Sequence, residues 1–264
     1  MSADTEGTIS HKFANEMMNK YPQIRVNNIY SKIGELRLKK SPQEVEKIKK
    51  AIEITKSGIE KLMTECRSGM KEYELEAYFD FNCKIKGATD LAFTTIAAAG
   101  KNATTLHYVE NNSKLKDGDL ILFDLGAEYN CYNADITRTF PISGKFTERQ
   151  KEVYNSVLKV NEEIISLIKP GMKYKDINEK ATDLIAEECI KLGLIKDKSE
   201  VRKYYYHSIG HSLGMDTHDI ETPHRDIIFE PGVVFTVEPG IYIQEEGIGL
   251  RIEDDILVTN EGVI

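Results

Sequence analysis

Carboxylates beside apolar strands are the first residues of this sequence that could do chemistry. In FDLGAEYNCYNADITRTF, Asp124 follows the apolar residues 120–123 and Asp135 lies eleven positions later. A carboxylate in such surroundings is costly unless it is paired, hydrogen-bonded or bound to a cation. The odd spacing puts the two side chains on opposite faces of a continuous strand, whereas a hairpin between them turns both inward. Two interpretations stay open: a cation site, or a salt bridge from Asp135 to Arg138 with a turn role for Asp124.

Histidines form the second group. Of the six in the chain, His207, His211 and His218 lie within twelve residues, in HSIGHSLGMDTHD. A lone histidine is usually a satisfied surface or core residue, but three so close together favour a metal or proton-transfer site. The neighbouring Gly210 and Gly214 indicate a backbone crowded near a ligand rather than a simple helix.

Two glutamates complete the set. Glu238 lies in FTVEPGIY, where a strand opens onto a Pro-Gly turn, and Glu253 lies in GLRIEDDILV, within an alternating apolar pattern. The alternative for the second segment is a solvated acidic turn, which suits Asp254 and Asp255 better than it suits Glu253. Both glutamates are therefore candidates for the same site as Asp124.

These residues together supply four carboxylates and one imidazole. Mutual repulsion makes such a cluster unfavourable without a cation, and divalent ions remove that penalty. Oxygen ligands with one imidazole suit manganese, zinc, cobalt or iron better than calcium, and four carboxylates can bridge two ions. The chemistry that this predicts is hydrolysis by an activated water.

Helices and strands must position these residues. Ser41 with Glu44, and Thr147 with Gln150, have the spacing of capping boxes, and each precedes an amphipathic helix; a further helix is predicted at residues 72–86. Residues 93–100 and 120–123 indicate strands, and residues 128–140 a hairpin. Gly-Met-Lys at 69–71 recurs at 171–173, each time between two helices. We therefore predict a duplicated α+β domain whose two halves enclose one central site.

Composition limits the remaining classes. Forty-three acidic against 35 basic residues give a net charge of −8, so we expect no nucleic-acid partner. The four cysteines lie far apart, which predicts reduced, mostly buried thiols. The first residues lack a signal-peptide pattern and no stretch is apolar enough to span a bilayer, so we expect a cytoplasmic protein without membrane contact.

The motifs resemble those of the pita-bread metallopeptidases, the group that includes prolidase, aminopeptidase P and methionine aminopeptidase. The similarity runs from about Ser41 to the C-terminus, and it fills all five ligand positions of the family, with Asp124, Asp135, His211, Glu238 and Glu253. It implies a pita-bread fold: a pseudo-twofold repeat of helices on a curved, mainly antiparallel sheet. It also implies two divalent ions, manganese before zinc, cobalt or iron, with Asp135 and Glu253 bridging them.

Within this group the chain is most similar to aminopeptidase P and prolidase. His207 lies four residues before His211, Arg251 lies two before Glu253, and AAAGKNATTLHY carries His107. The resemblance implies peptide substrates with proline second, bound by His107, His207, His218 and Arg251. An activated water attacks the Xaa-Pro carbonyl, Glu238 handles the proton, and His107 with His218 stabilises the tetrahedral intermediate.

The chain departs from this branch of the family at several points. We expect residues 1–40 to be a stub, or the remnant of an N-terminal domain, and residues 41–264 to be the catalytic domain. Ser208 replaces the usual Gly, and the segment after Asp219 reads IETPH, which puts pocket shape and preferred peptide length in doubt. Neither His11 nor His224 has a family role, and we expect both at the surface.

An Xaa-Pro dipeptidase and a non-catalytic binding module are the alternatives to the aminopeptidase. Non-catalytic pita-bread modules have typically lost ligands, and this sequence retains all of them. A homodimer also stays open.

Overall fold

The computed structural model describes residues 7–219 and 227–264, so the whole divergent IETPH segment, which includes His224, lies outside the described residues. Two helices, α1 (Ile9–Lys20) and α2 (Tyr30–Leu38), form in a segment whose sequence pattern is weak. His11 lies on α1, partly buried, with its ring 3.2 Å from the Asn15 amide. After α2, the Lys40 N–H donates to the Gly232 carbonyl, which ties the N-terminal segment to the C-terminal part of the chain.

The first half of the chain is a helix pair packed on a small sheet. Its helices are α3 (Pro42–Glu65) and α4 (Glu72–Lys86), and α3 begins at the predicted capping box of Ser41 and Glu44. Its strands are β1 (Asp90–Leu91), β2 (Ile96–Ala99), β3 (Leu120–Leu125), β4 (Ala127–Tyr129), β5 (Tyr132–Asn133) and β6 (Ile136–Pro141). Antiparallel pairing gives the orders β2–β3–β6 and β1–β4–β5. The apolar strand predicted at 93–100 is shorter in the structure, where β2 spans only Ile96–Ala99.

The second half repeats this arrangement. Its helices are α5 (Glu148–Leu167), which begins at the predicted Thr147 and Gln150 capping box, and α6 (Tyr174–Lys191). Its strands are β7 (Val234–Val237), β8 (Gly240–Ile243), β9 (Ile248–Arg251) and β10 (Asp254–Leu257), paired antiparallel as β7–β10 and β8–β9. Short 3-10 helices at Gly100–Thr104 and Lys198–Lys203 complete the described elements.

The duplication predicted from Gly-Met-Lys is present in the backbone. Gly69 and Gly171 have φ angles of 93° and 90°, conformations that favour glycine. Their N–H groups donate to Leu115 and Phe229, and 114 residues separate those two acceptors. In each half, the turn between the two helices therefore binds the segment that precedes β3 or β7 in the same way.

Each half has its own apolar core. In the first, Leu75 and Phe79 of α4 are fully buried, and Gly58 of α3 leaves room for the Phe79 ring, since a Cβ there would lie 2.4 Å from it. Burying a side chain of this size contributes about 1.5–3 kcal/mol, enough to fix the crossing of the two helices. The second core joins α5 and α6 to β7–β10. Of the helices in the two described ranges, none has the length and apolar character needed to cross a membrane.

Candidate metal centre

Strand β3 and the hairpin after it position the first two carboxylates. Residues 121, 123 and 125 of β3 face the helices, so Asp124 points to the opposite side of the sheet. Asp124 is paired with Thr137 of β6, and Asp135 precedes Thr137 by two residues, which places both carboxylates on one face. Positive φ angles at Asn130 and Cys131, 50° and 66°, make the tight reversal between β4 and β5. The predicted hairpin thus turns both carboxylates inward.

The second half supplies Glu238 and Glu253 from equivalent places. Glu238 directly follows β7 and Glu253 directly precedes β10. Asp124 and Glu238 are 114 residues apart, the same separation as Leu115 and Phe229 in the duplicated connection. The two halves therefore contribute matching carboxylates, and their sheets bring these together.

A close approach to β7 positions His211. The His211 N–H donates to Thr236 Oγ1 at 3.0 Å, and the Thr236 N–H donates back to the His211 carbonyl. At Gly210 a Cβ would lie 1.9 Å from the Thr236 carbonyl oxygen, and at Gly214 it would lie 2.3 Å from Asp219 Oδ2. The backbone is therefore crowded at both glycines, as expected, and protein atoms rather than a ligand occupy the space.

The nine predicted site residues line one cavity of about 980 Å³; they are Asp124, Asp135, His211, Glu238, Glu253, His107, His207, His218 and Arg251. Asp135, His211 and Glu253 offer ligand atoms that lie within 4.8 Å of one another. His211 Nε2 is 3.4 Å from Asp135 Oδ2 and 3.9 Å from Glu238 Oε1. A single cation between these groups would have several ligands in reach.

Burial and charge repulsion dominate the electrostatics of this cluster. Burial, followed by the Glu253 carboxylate, raises the pKa of Asp135 well above its usual range. Burial also raises the pKa of Glu238 to about 8, although Arg251 opposes this. At His211, burial and then His218 lower the pKa to about 4, so its imidazole is neutral near pH 7, the form that binds metals. The cluster therefore favours a cation in place of protons.

Unpartnered oxygens give a second sign of a cation site. Within residues 7–219 and 227–264, Asp124 Oδ1 and Asp135 Oδ1 are buried without a hydrogen-bond partner. Buried polar atoms are nearly always satisfied, and a divalent ion is a partner that suits carboxylate oxygens. The residues present therefore fit the divalent ions that the sequence predicts.

Two alternatives from the sequence do not hold. Arg138 forms its salt bridge with Asp254, at 2.5 Å, and not with Asp135. Asp255 is not part of a solvated acidic turn: its Oδ1 is buried, and its Oδ2 accepts a hydrogen bond from the Asp135 N–H at 3.1 Å. The Asp254 side chain, which binds Arg138, is half-buried. The acidic segment is thus folded inward and holds the backbone of Asp135.

Arg251 is almost fully buried, and its guanidinium contacts the cluster itself. It forms a salt bridge with Asp124, and its Nη1 donates to the Tyr242 hydroxyl at 3.0 Å. Its Nε donates to Thr137 Oγ1 at 3.0 Å. Arg251 therefore partly neutralises the carboxylates, and the expectation that it also binds substrate stays a prediction.

The other histidines surround the cluster. His207 Nε2 lies 2.8 Å from the Tyr242 hydroxyl, and burial lowers the pKa of His207 to about 3. The His218 ring packs edge-on against His211 with centroids 4.3 Å apart, and His107 lies on the cavity wall. All three line the same cavity as the carboxylates, while their roles toward a substrate stay predictions.

Sequence reasoning missed three residues at this site. Thr137 contacts both Glu253 and Arg251, and the period-2 pattern from Asp135 could have identified it. Tyr242 links His207 with Arg251, and Tyr30 of α2 reaches the cavity wall from a segment to which no chemistry was assigned. No sequence signal indicates either tyrosine, because their positions depend on how distant elements pack.

Known proteins are similar over most of the chain. Residues 46–260 match metallopeptidase family M24. The chain is 39% identical over 252 residues to human (Homo sapiens) Xaa-Pro aminopeptidase 3, covering 90% of this chain and 50% of that protein. It is 40% identical over 247 residues to Xaa-Pro aminopeptidase of Escherichia coli K12, covering 87% and 56%. A provisionally assigned aminopeptidase P structure from Bacillus anthracis is 48% identical, with a TM-score of 0.95, and covers 100% of this chain and 63% of that one.

The chain spans about half the length of the curated relatives it matches. Its duplicated helices on antiparallel sheets and its likeness to the aminopeptidase P structure confirm the predicted pita-bread fold. The match includes the positions of all five predicted ligands. On this evidence the chain belongs to metallopeptidase family M24.

Proposed function

We propose that residues 41–264 form the catalytic domain of a dinuclear metal-dependent Xaa-Pro aminopeptidase, which releases the first residue from peptides with proline second. The observation that carries the proposal is the convergence of Asp135, His211 and Glu253, whose ligand atoms lie within 4.8 Å of one another. Relatives of 39% and 40% identity are named Xaa-Pro aminopeptidases, which supports the substrate class.

The proposed ligands of two divalent ions are Asp124, Asp135, His211, Glu238 and Glu253. When bound, the ions would supply Lewis acidity and an activated water for attack on the peptide carbonyl. Four carboxylates with one neutral imidazole suit manganese, and zinc, cobalt and iron are the other candidates. Arg251 offsets part of the negative charge, so the cluster holds its shape before any cation binds.

The side chains around the ligands have separate proposed roles. Glu238 accepts the proton of the attacking water and delivers it to the leaving proline nitrogen. His107 and His218 donate hydrogen bonds to the developing oxyanion. His207, linked to Tyr242 at 2.8 Å, contributes to the wall that contacts the substrate.

The rest of the cavity wall fits a proline peptide. Its lining also includes apolar and aromatic side chains that can contact a pyrrolidine ring, namely Tyr30, Phe93, Leu106 and Val109. The cavity of about 980 Å³ has room for a peptide, and the relatives of 39% and 40% identity are named aminopeptidases, which favours that activity. We therefore place the aminopeptidase before the dipeptidase.

A comparison of peptides tests this proposal. The manganese-loaded chain is expected to release the first residue from Xaa-Pro-Xaa faster than it cleaves Xaa-Pro, and to leave Xaa-Ala-Xaa intact. Glu238→Ala should abolish turnover, whereas Glu245→Ala, an exposed glutamate nearby in sequence, should not change it. Faster cleavage of Xaa-Pro would assign a dipeptidase instead.

Metal analysis separates the enzyme from a binding module. Two ions per chain after manganese loading support the enzyme, while none, together with no turnover, would reject it in favour of a non-catalytic module. A cytoplasmic location and a homodimer remain part of the proposal and rest on sequence pattern and family resemblance.

A further inference from the structure

Asp219 directly follows His218, and among the described residues it is one of the most buried carboxylates. Its side chain is 1% exposed. Two cations from the N-terminal segment reach it, one at each oxygen: Arg37 Nη2 lies 2.5 Å from Oδ1 and Lys40 Nζ lies 3.1 Å from Oδ2. The Lys40 side chain is itself 2% exposed. A segment that precedes the matched family region thus reaches the residue next to a site histidine.

The backbone around Asp219 links this ion pair to the metal centre. The Asp219 N–H donates to the Ser212 carbonyl at 2.9 Å, which closes a loop from residue 212 to residue 219. His211 immediately precedes this loop and His218 lies within it, with their rings 4.3 Å apart at the centroids. Contacts that fix the position of Asp219 therefore also restrict its neighbour His218.

The loop is shaped to receive the ion pair. At Gly214 a Cβ would lie 2.3 Å from Asp219 Oδ2 and 2.9 Å from Lys40 Cε, so a larger residue would displace one partner. Arg37 also binds Asp216 at 2.7 Å, on the exposed side of the same loop. Three contacts from residues 37 and 40 therefore fix a short segment.

A gain in folding stability does not by itself explain a buried ion pair of this kind. Bringing two charges out of water costs about as much as their attraction returns, so buried ion pairs add little to folding on average. Their better supported use is to select one geometry, since removing one partner leaves the other charge buried. Because His218 is adjacent to Asp219, the geometry that the ion pair selects also determines the position of this histidine.

We propose that Asp219 is a positioning residue: Arg37 and Lys40 hold it, and it fixes His218 over the metal centre. The inference rests on the proposed function for its effect on turnover, but not for its effect on the loop. It extends the site to residues 37–40, to which sequence analysis assigned no chemistry.

The test compares two neighbouring lysines. Lys40→Met keeps the length of the side chain and removes the charge that contacts Asp219. Lys39→Met is the matched control, because Lys39 forms only a half-exposed ion pair with Glu230. Hydrogen exchange of the Asp219 amide and kcat with KM on an Xaa-Pro-Xaa peptide are measured for both variants after manganese loading.

We expect Lys40→Met to speed exchange at the Asp219 amide at least tenfold and to lower kcat about tenfold, with KM and metal content unchanged. Lys39→Met should resemble the parent protein in both. Arg37→Gln should have the same effect in smaller measure, and Arg37→Lys, which retains the charge, should restore kcat. If Lys40→Met does not fold, the variants Arg37→Gln and Arg37→Lys provide the same comparison.

The exchange measurement keeps this inference separate from the proposed function. If the parent protein has no peptidase activity, the proposed function fails, while faster exchange in Lys40→Met than in Lys39→Met still assigns the loop-holding role. Equal exchange in the two lysine variants overturns the inference. Faster exchange with unchanged kcat in an active enzyme also overturns it, because the pair would then be structural only.

Discussion

Thr137 and Glu253 contact each other twice across the two halves of the chain. The Glu253 N–H donates to the Thr137 carbonyl at 3.1 Å, and the Thr137 hydroxyl donates to Glu253 Oε2 at 2.6 Å. The same hydroxyl accepts from Arg251 Nε at 3.0 Å. Thr137 thereby orients the carboxylate of one half from a strand of the other half.

Thr137→Val tests this orientation. Removal of the hydroxyl leaves the buried Glu253 carboxylate without its side-chain donor, and partners that orient metal ligands typically change affinity about tenfold to a hundredfold. We expect manganese affinity, measured by titration calorimetry, to fall by at least about tenfold. Thr139→Val is the control, because Thr139 Oγ1 contacts only the backbone of Arg251. Equal losses in both variants would contradict the role of Thr137.

The histidines beside the cluster should affect turnover without affecting metal content. His218→Ala and His107→Ala each remove a proposed donor to the oxyanion, and such donors are worth about a hundredfold in kcat. We expect kcat on Xaa-Pro-Xaa to fall by about that factor, with manganese content by elemental analysis unchanged. His11→Ala, on the N-terminal helix, should leave both unchanged. Loss of metal in His218→Ala would instead make this histidine a ligand.

Metal binding should stabilise the protein more at higher pH. In the metal-free protein burial raises the pKa of Glu238 from its ordinary 4.5 to about 8. Between these values the folded state retains a proton that the unfolded state has lost, so the free energy of unfolding falls as pH rises through this window. The raised pKa values of Asp135 and Glu253 act in the same direction. Manganese takes the place of those protons, and its effect therefore grows with pH.

Thermal melts with and without manganese measure this difference. The rise in Tm on manganese loading is expected to be larger at about pH 8 than at about pH 5.5. Glu238→Gln, which cannot ionise, should reduce the pH dependence of the metal-free Tm. A rise in Tm that is the same at both pH values would contradict the idea that manganese replaces protons on these carboxylates.

Gly210 should tolerate no side chain. In Gly210→Ala the new Cβ would lie 1.9 Å from the Thr236 carbonyl oxygen, which belongs to strand β7 and cannot move alone. We expect a loss of about 1–3 kcal/mol in the free energy of unfolding, measured in urea, and weaker metal binding through His211. Ser208→Ala, in the same loop, should cost much less, since its hydroxyl makes only a 3.5 Å contact with the Gly210 carbonyl.

The sequence by itself determined the candidate ligand residues and most of the helices and strands around them. Apolar runs that end in Asp124 and Glu238, the capping boxes at Ser41 and Thr147, and the repeated Gly-Met-Lys are local patterns, and local backbone preferences suffice to interpret them. Their repetition also indicated that two halves share one site. Periodicity could have identified Thr137, which follows Asp135 on the same face of its strand.

Tertiary structure alone decided which charges meet. Arg138 could have paired with Asp135 or with Asp254 by sequence, and only the packing of β6 against β10 selects Asp254. The same packing turns Asp255 inward to the backbone of Asp135. At the other end of the chain, Arg37 and Lys40 contact Asp219 although each lies 179 positions or more away in sequence. Such contacts depend on long-range packing, and no local pattern in the sequence records them.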